Sequence, residues 1–168
     1  MKAKSGFTLV EILIVVVILG ILAAIVIPQF TEASTEAKES RLCTDLQTMR
    51  SQIELYKAQH NDRLPGVETA ASVIGSVGAA MFQECMTSYT DVDGDVAAGP
   101  GANIYGPYIQ KIPTNSFNDD DTVTFNAATP PATAGNDNGW NFDPATGKFQ
   151  ADDTLLCSDG SGLFHSEL

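Results

Sequence analysis

Apolar residues are concentrated at the start of the chain, where the run from Phe7 to Ile27 is almost wholly apolar. As an α-helix its 21 residues extend roughly 31 Å, enough to cross the hydrocarbon core of a bilayer. Lys2 and Lys4 precede the run, and the positive-inside tendency keeps such residues in the cytoplasm. The pattern predicts a membrane-spanning helix with the C-terminal part of the chain on the far side. It is longer than the apolar run of about 7–15 residues in an ordinary signal peptide.

A second helical pattern follows Pro28, which we expect to kink the helix. Beyond it, apolar residues recur at spacings of four, three, four and three, which places them on one face. They are Leu42, Leu46, Met49, Ile53 and Tyr56. The turn residues Asn61 and Asp62 end the helix, and His60 is expected beside its last carbonyl groups. The apolar stripe predicts a packing surface.

The later part of the chain contains a short helical pattern at Ala79–Met86 and several short strand patterns. The predicted strands are Tyr105–Ile112, Thr122–Asn126, Gly139–Asp143 and Lys148–Ala151. Residues 144–147 have the length and composition of a hairpin connection between the last two. The predicted fold class is α+β, with a long N-terminal helix packed on a small, mostly antiparallel β-sheet head. Its expected core includes Trp140, Phe142 and Phe149.

Glu11 is an acid near one end of the apolar run. A carboxylate in lipid costs up to about 3 kcal/mol and usually has a partner, yet no basic residue lies between Phe7 and Lys38. Cleavage after Gly6 would give Phe7 an α-amino group, which is charged near neutral pH. We predict that this amine pairs with Glu11 of the same chain or of a neighbouring subunit. Solvation of Glu11 by lipid headgroups is the simpler alternative.

Residues 6–11 have the sequence Gly-Phe-Thr-Leu-Val-Glu, and residues 20–28 have Gly-Ile-Leu-Ala-Ala-Ile-Val-Ile-Pro. With the apolar run between them, they resemble the N-terminal signature of type IV pilins and type II secretion pseudopilins. The resemblance implies that a prepilin peptidase cuts between Gly6 and Phe7 and N-methylates Phe7. It also implies that Glu11 recruits the subunit into a filament through a neighbour's Phe7 amine. Loss of the leader would take the formal charge from −12 to −14.

The chain thus divides into a leader at 1–6, a transmembrane and filament-core helix at 7–28, an amphipathic helix at 29–61 and an acidic head at 62–168. Stretches at 56–65, 106–113 and 139–147 are similar to major pseudopilins of type II secretion, with extra residues between 66 and 104. The resemblance implies a structural subunit of a periplasmic pseudopilus for protein export. A type IV pilin of an extracellular pilus, working in adhesion, motility or DNA uptake, is the alternative. A membrane-anchored binding module with an acidic calcium-binding head is a second alternative.

The resemblance also implies the surroundings of the chain. Its partners would be membrane lipid before assembly, a prepilin peptidase, an inner-membrane assembly platform and other copies of the chain, packed through their N-terminal helices. It would cross the inner membrane once, with the head outside the cytoplasm, and then enter a periplasmic or extracellular filament.

The charge and the reactive residues restrict the function of the head. Lys111 and Lys148 are its only lysine or arginine residues after Leu64, so an acidic surface should repel nucleic acid. No catalytic motif or phosphate-binding loop is present, and we predict that the chain is not an enzyme. The three cysteines allow three single disulfide pairings, among which the sequence does not decide. They are Cys43, Cys85 and Cys157.

Calcium is the one cofactor that the sequence suggests, at two acidic loops. Asp91, Asp93 and Asp95 alternate in a tight segment that suits a hard cation, although Val96 stands where an EF-hand loop requires glycine. The second loop combines 118–121, which holds three successive aspartates, with 136–138. Its candidate ligands are Asp119, Asp120, Asp121 and Asp137. Pseudopilins of the major type have a calcium site in a similar place, and a solvated acidic loop is the alternative at both positions.

Overall fold

The structure is a computed structural model that describes residues 8–67, 78–125, 138–153, 155–158 and 163–168. Its first element is a long helix, α1, at Leu9–Gln59. Contacts divide the chain into two units, Met1–Ala37 and Lys38–Leu168. Among its described residues, the second unit contains the C-terminal part of α1, a short helix α2 at Ala79–Thr87, six short strands and a 3-10 turn at His165–Glu167.

The strands form two three-stranded sheets. In the first, β1 (Tyr89–Asp91) lies between β2 (Val96–Ala97) and β3 (Ile104–Tyr105), and both pairs are antiparallel. In the second, β5 (Trp140–Phe142) lies between β4 (Val123–Phe125) and β6 (Phe149–Ala151). The β5–β6 pair is antiparallel, whereas β4 and β5 are parallel. The α+β prediction is confirmed, with one antiparallel and one mixed sheet in place of a single sheet.

The core of the second unit forms where the predicted stripe of α1 meets α2 and the second sheet. All five stripe residues are at most 2% exposed, as the helical spacing predicted. Phe82 of α2 lies 4.7 Å from Phe142 and 6.0 Å from Phe149, measured between ring centroids. Trp140 is fully buried and its indole N–H donates to the Pro113 carbonyl at 2.7 Å. The core of the head therefore combines residues from three distant parts of the chain.

Helix α1 ends where turn chemistry was expected. Asn61 and Asp62 have φ values of 54° and 62°, in the left-handed region that closes a helix C-terminus. The Asp62 N–H donates to the Lys57 carbonyl at 2.9 Å. His60 is buried, and its Nδ1 lies 2.8 Å from the Tyr56 carbonyl oxygen, which confirms its predicted place beside the last carbonyl groups.

Two strand predictions need correction. The segment predicted as a strand at Tyr105–Ile112 is extended only at its start, because Pro107 has no N–H to donate. Beyond it, the Tyr108 and Ile109 N–H groups both donate to the Met86 carbonyl at 3.0 Å. In addition, the sequence analysis found no strand near Asp91, where the structure has the β1–β2 hairpin. The hairpin at 144–147 and the helix α2 agree with their predictions.

Candidate functional site

Glu11 lies in the first turn of α1 and takes part in a reciprocal cap with Thr8. The Thr8 N–H and Oγ1–H both donate to Glu11 Oε2 at 2.7 Å, and the Glu11 N–H donates to Thr8 Oγ1 at 3.3 Å. This is a capping box, in which a threonine and a glutamate three residues later satisfy the free N–H groups of a helix start. Both bonds to the carboxylate end on Oε2. The carboxylate therefore caps its own helix through this one oxygen.

The predicted partner of Glu11 is not covered by the structure. Gly6 and Phe7 lie outside the described residues, so both the processing site and the pairing of the Phe7 amine with Glu11 stay predictions. Pro28 lies inside α1, and its kink likewise stays a prediction. The Thr31 hydroxyl, one turn beyond, donates to the Pro28 carbonyl at 2.7 Å.

The N-terminal part of α1 presents apolar side chains in every direction. Large apolar residues between Leu9 and Phe30 are 42–82% exposed. Each square ångström of apolar surface left in water costs about 25 cal/mol, and a helix that is apolar all round belongs in lipid or among other apolar helices. By length and composition, α1 is the one helix in the described part of the chain that could cross a membrane.

The first acidic loop forms the tight turn between β1 and β2. Asp91 Oδ1 accepts the N–H groups of Asp93 and Asp95 at 2.9 and 3.0 Å. Asp93 Oδ1 accepts from Nη1 of Arg63 at 2.7 Å. Two of the three carboxylates thus already have partners. Asp91 accepts backbone N–H groups of the turn, and Asp93 accepts from the Arg63 guanidinium. The geometry explains this loop as a hairpin turn and gives no support to calcium binding there.

The second acidic loop is held together by asparagines. Asn115 accepts the Phe117 N–H on its side-chain oxygen and donates to the Gly139 carbonyl at 3.0 Å. Asn118 donates to the Asn138 carbonyl at 2.7 Å. A side chain at position 139 would come within 2.1 Å of the Asp120 carbonyl oxygen, so this close approach requires glycine. The structure therefore brings 118–121 beside 138, as the sequence grouping predicted.

The aspartates of the second loop have different surroundings. A hydrogen bond from the Thr122 backbone N–H, at 2.8 Å, holds the pKa of Asp120 below its usual range. Asp121 pairs with Lys111 at 2.7 Å, and Asp119 has a φ of 56°. Asp137 lies outside the described residues. Within the residues that are described, no three His, Cys, Asp or Glu side chains gather as a metal-binding group, so calcium remains a prediction.

The cysteines form no disulfide in this structure. Cys85 is buried against the core, and its burial raises the pKa of the thiol. Cys43 and Cys157 are half-buried. The choice among the three pairings thus stays open.

Comparison with known proteins bears on the resemblance found in the N-terminal sequence. Residues 1–27 match the family described as the prokaryotic N-terminal methylation motif. The resemblance to type IV pilins and type II secretion pseudopilins is confirmed. The matched segment includes both Glu11 and the apolar run.

The curated relatives of this pilin-like chain include both kinds of filament protein. It is 34% identical to type II secretion system core protein G of Klebsiella pneumoniae over 80 residues, which are 48% of this chain and 56% of that protein. It is 45% identical to core protein G of Pseudomonas aeruginosa over 56 residues, 33% of this chain and 39% of that protein. It is 34% identical to the type IV major fimbrial protein FimA of Dichelobacter nodosus over 104 residues, 62% of this chain and 63% of that protein.

These similarities are partial. The chain spans about half the length of the curated relatives it matches. No solved structure matches it.

Sequence reasoning missed two local features of the candidate site. The capping box could have been found, because Thr-x-x-Glu at the start of an apolar run is its signature. The use of Asp91 and Asp93 within a hairpin could have been suspected from the Asp-Gly turn, which lies between segments containing tyrosine, threonine and valine. In both cases the carboxylate accepts backbone N–H groups of its own turn.

Proposed function

We propose that the chain is a structural subunit of a type IV pilus-like filament, and specifically a type II secretion pseudopilin whose periplasmic filament serves protein export. The observation that carries the proposal is the methylation motif at 1–27, which continues into an exposed apolar helix with Glu11 in its first turn. A subunit that moves from lipid into a bundle of like helices needs such an all-round apolar surface. The role is structural, and we propose no catalytic activity.

The proposed sequence of events follows from the chemistry of this helix. The apolar run holds the chain in the inner membrane, with the head outside the cytoplasm, and a prepilin peptidase removes residues 1–6 and methylates Phe7. The assembly platform then moves the helix from lipid to neighbouring copies. The charged Phe7 amine of one copy pairs with Oε1 of Glu11 on another. The cap from Thr8 occupies Oε2, so it keeps the carboxylate oriented without blocking the pair.

The substitution Glu11→Ala tests this assembly step. We expect normal membrane insertion and normal leader cleavage but loss of filaments, because the buried amine would lack its counter-charge. Glu36→Ala is the matched control, since Glu36 is an exposed acid of the same helix beyond the apolar run. Filaments would be counted by electron microscopy after shearing. Normal filaments from Glu11→Ala would contradict the pairing, whereas loss in both variants would point to a general defect of the helix.

Processing is tested by the intact mass and N-terminal sequence of the chain from its native membrane. A terminus at N-methylated Phe7 is the expected result. An uncut Met1 would remove the amine partner of Glu11. It would favour the membrane-anchored binding module in place of a filament subunit.

A type IV pilin of an extracellular pilus is the second candidate. The longer match to a fimbrial protein, over 62% of this chain, favours it. Deletion of the gene separates the two: loss of exported proteins from the medium indicates a pseudopilin, and loss of surface filaments indicates a pilin.

Calcium is proposed as a ligand of the second loop alone. The support is that the Asn118 side chain holds the loop at 118–121 beside Asn138, which follows Asp137 in the sequence. At a free calcium concentration of about one hundred times Kd, binding should stabilise the head by about 2.7 kcal/mol. Thermal unfolding with calcium and with chelator would measure this, in the wild type and in Asp120→Asn. Asp93→Asn is the control, and equal unfolding temperatures with and without calcium would contradict the proposal.

A further inference from the structure

The C-terminal strap, defined here as residues 155–158 and 163–168, is a two-stranded segment that lies along α1. Its strands are antiparallel, and the Cys157 N–H donates to the Leu163 carbonyl at 2.8 Å. Side chains alternate between the two sides of a strand, so Cys157 is on the same side of the strap as His165.

That side of the strap is turned toward the head. His165 is 1% exposed, and its Nδ1 lies 2.9 Å from Oδ1 of Asp153. Cys157 is half-buried, whereas both of its neighbours are exposed, Leu156 at 55% and Ser158 likewise. The Cys157 thiol therefore faces the head and not the solvent.

One face of α1 makes the contacts with the strap. The carboxylate of Glu39 accepts the N–H and the hydroxyl of Ser158 at 2.7 and 2.6 Å. Further along the helix, Nη1 of Arg50 donates to the Leu168 carbonyl at 2.6 Å. Positions 39, 43 and 50 lie within about 40° of one another around a helix of 3.6 residues per turn. Cys43 is therefore on the face that the strap contacts, between the two points of contact.

The direction of the strap brings Cys157 toward Cys43. Its second strand begins beside Glu39, where Nε2 of His165 lies 3.5 Å from Oε1, and advances toward the C-terminal end of α1. The first strand is antiparallel to the second, so it advances in this direction when it is followed backward. The step from Ser158 to Cys157 therefore runs the same way along α1 as the turn from Glu39 to Cys43.

Cys85 is too far from this face of α1 to take part. Its thiol donates to the Gly94 carbonyl at 3.7 Å, and a side chain at position 94 would meet the Tyr56 hydroxyl at 2.9 Å. Tyr56 lies about 20 Å beyond Cys43 along the helix axis, whereas a disulfide requires Cα atoms within about 7 Å. Cys85 is also 2% exposed, and burial raises the pKa of its thiol, which makes it a poor nucleophile.

We propose that Cys43 and Cys157 form a disulfide that ties the C-terminal strap to α1, while Cys85 remains a buried thiol. The structure holds the cysteines as thiols, which is the reduced form of this pair. On oxidation, an S–S bond joins the two Sγ atoms, and each thiol gives up one proton and one electron. A disulfide donor, either a small molecule or a protein, accepts them by thiol–disulfide exchange and becomes two thiols.

The inference rests on the proposed function in one respect, the placement of the head outside the cytoplasm. Disulfides form and persist in such oxidising compartments and are rare in the cytoplasm. The pairing itself depends only on the fold of the head, so it is tested on the purified chain.

Oxidation of the full chain in detergent micelles tests the pairing. A mixture of reduced and oxidised glutathione serves as the disulfide donor, the remaining thiols are alkylated, and the peptides are analysed by mass spectrometry without reduction. The link between Cys43 and Cys157 should exceed every other pairing at least about tenfold, because it alone meets the distance requirement. A link that includes Cys85, chains joined to one another, or a folded chain in which Cys43 and Cys157 both stay alkylated would overturn the proposal.

The same oxidation in concentrated urea is the matched control. Without the fold to select a pair, all three pairings should appear. The same mixture of pairings from the folded and the unfolded chain would overturn the proposal. Because this assay does not depend on the N-terminus or on the membrane, the proposed function is tested separately by the N-terminal sequence.

Thermal unfolding measures what the link does for the head. Reduction of the oxidised wild type should lower the unfolding midpoint by at least about 5 °C, since a link that closes a long loop restricts the unfolded chain. C43S and C157S should unfold near the reduced wild type and should not respond to reductant, whereas C85S should keep the response. If a variant fails to fold, the comparison of oxidised and reduced wild type remains. A wild-type midpoint that reduction leaves unchanged, or a full response in C43S, would overturn the proposal.

Discussion

The two parts of α1 are both rich in apolar residues, yet they are suited to different surroundings. From Leu9 to Phe30 the large apolar side chains are exposed all round the helix, whereas from Leu42 to Tyr56 five of them lie on one face and are buried. The first pattern is that of a helix surrounded by lipid or by other helices, and the second is that of a helix packed on one side. One continuous helix can therefore serve two environments, because the period of its apolar residues changes along its length.

The largest expected effect is a difference in stability between two leucine-to-alanine substitutions, one in each part of α1. Leu46→Ala should lower the free energy of unfolding of the head by about 2–5 kcal/mol, since it leaves a cavity beside fully buried neighbours. Leu19→Ala should change it by less than about 0.5 kcal/mol, because Leu19 is 58% exposed and makes no core contact within its unit. Urea unfolding in micelles, followed by Trp140 fluorescence, would measure both. Equal effects would contradict the distinction between the two parts.

A second test places a charge in each part. Leu19→Arg should disfavour membrane insertion by about 2.5–3.5 kcal/mol, the cost of arginine near the centre of a spanning helix. Gln47→Arg is the control, since Gln47 is an exposed position on the packed part, and it should insert normally. Carbonate extraction or a glycosylation-site reporter would give the inserted fraction. Normal insertion of Leu19→Arg would contradict a membrane role for the first part.

Much of this organisation could be predicted, because it depends on local patterns. The stripe on α1 follows from helical spacing, and the β5–β6 hairpin follows from the length and composition of the connection at 144–147. The β1–β2 hairpin near Asp91 was not predicted, and there the Asp91 carboxylate accepts two backbone N–H groups of the turn.

Features that join distant residues could not be predicted. One such feature is the parallel pairing of β4 with β5. Another is the contact between Glu39 and His165, which are 126 positions apart in the sequence. Both depend on how separate elements pack together. A lone histidine near the end of a sequence carries no signal of two carboxylates around it. The capping of Glu11 by Thr8 is different, because its spacing was visible in the sequence.

The smallest expected effect lies at the end of the packed part of α1, where His60 is buried in a neutral environment. Its Nδ1 lies 2.8 Å from the Tyr56 carbonyl and its Nε2 3.0 Å from the Thr90 hydroxyl, and its ring stacks on Tyr56 at 3.8 Å. Burial lowers the pKa of His60, although the carbonyl acts in the opposite direction.

The sign of the resulting pH dependence follows from proton counting. Below about pH 6.5, the usual pKa of an unfolded histidine, the unfolded chain binds a proton that folded His60 does not, so stability falls as the pH decreases. Unfolding free energies of the wild type and His60→Gln between about pH 5 and pH 8 would measure this dependence. The variant should lose stability overall and lose part of the decline toward acid; an unchanged acid decline would show that His60 is not its source.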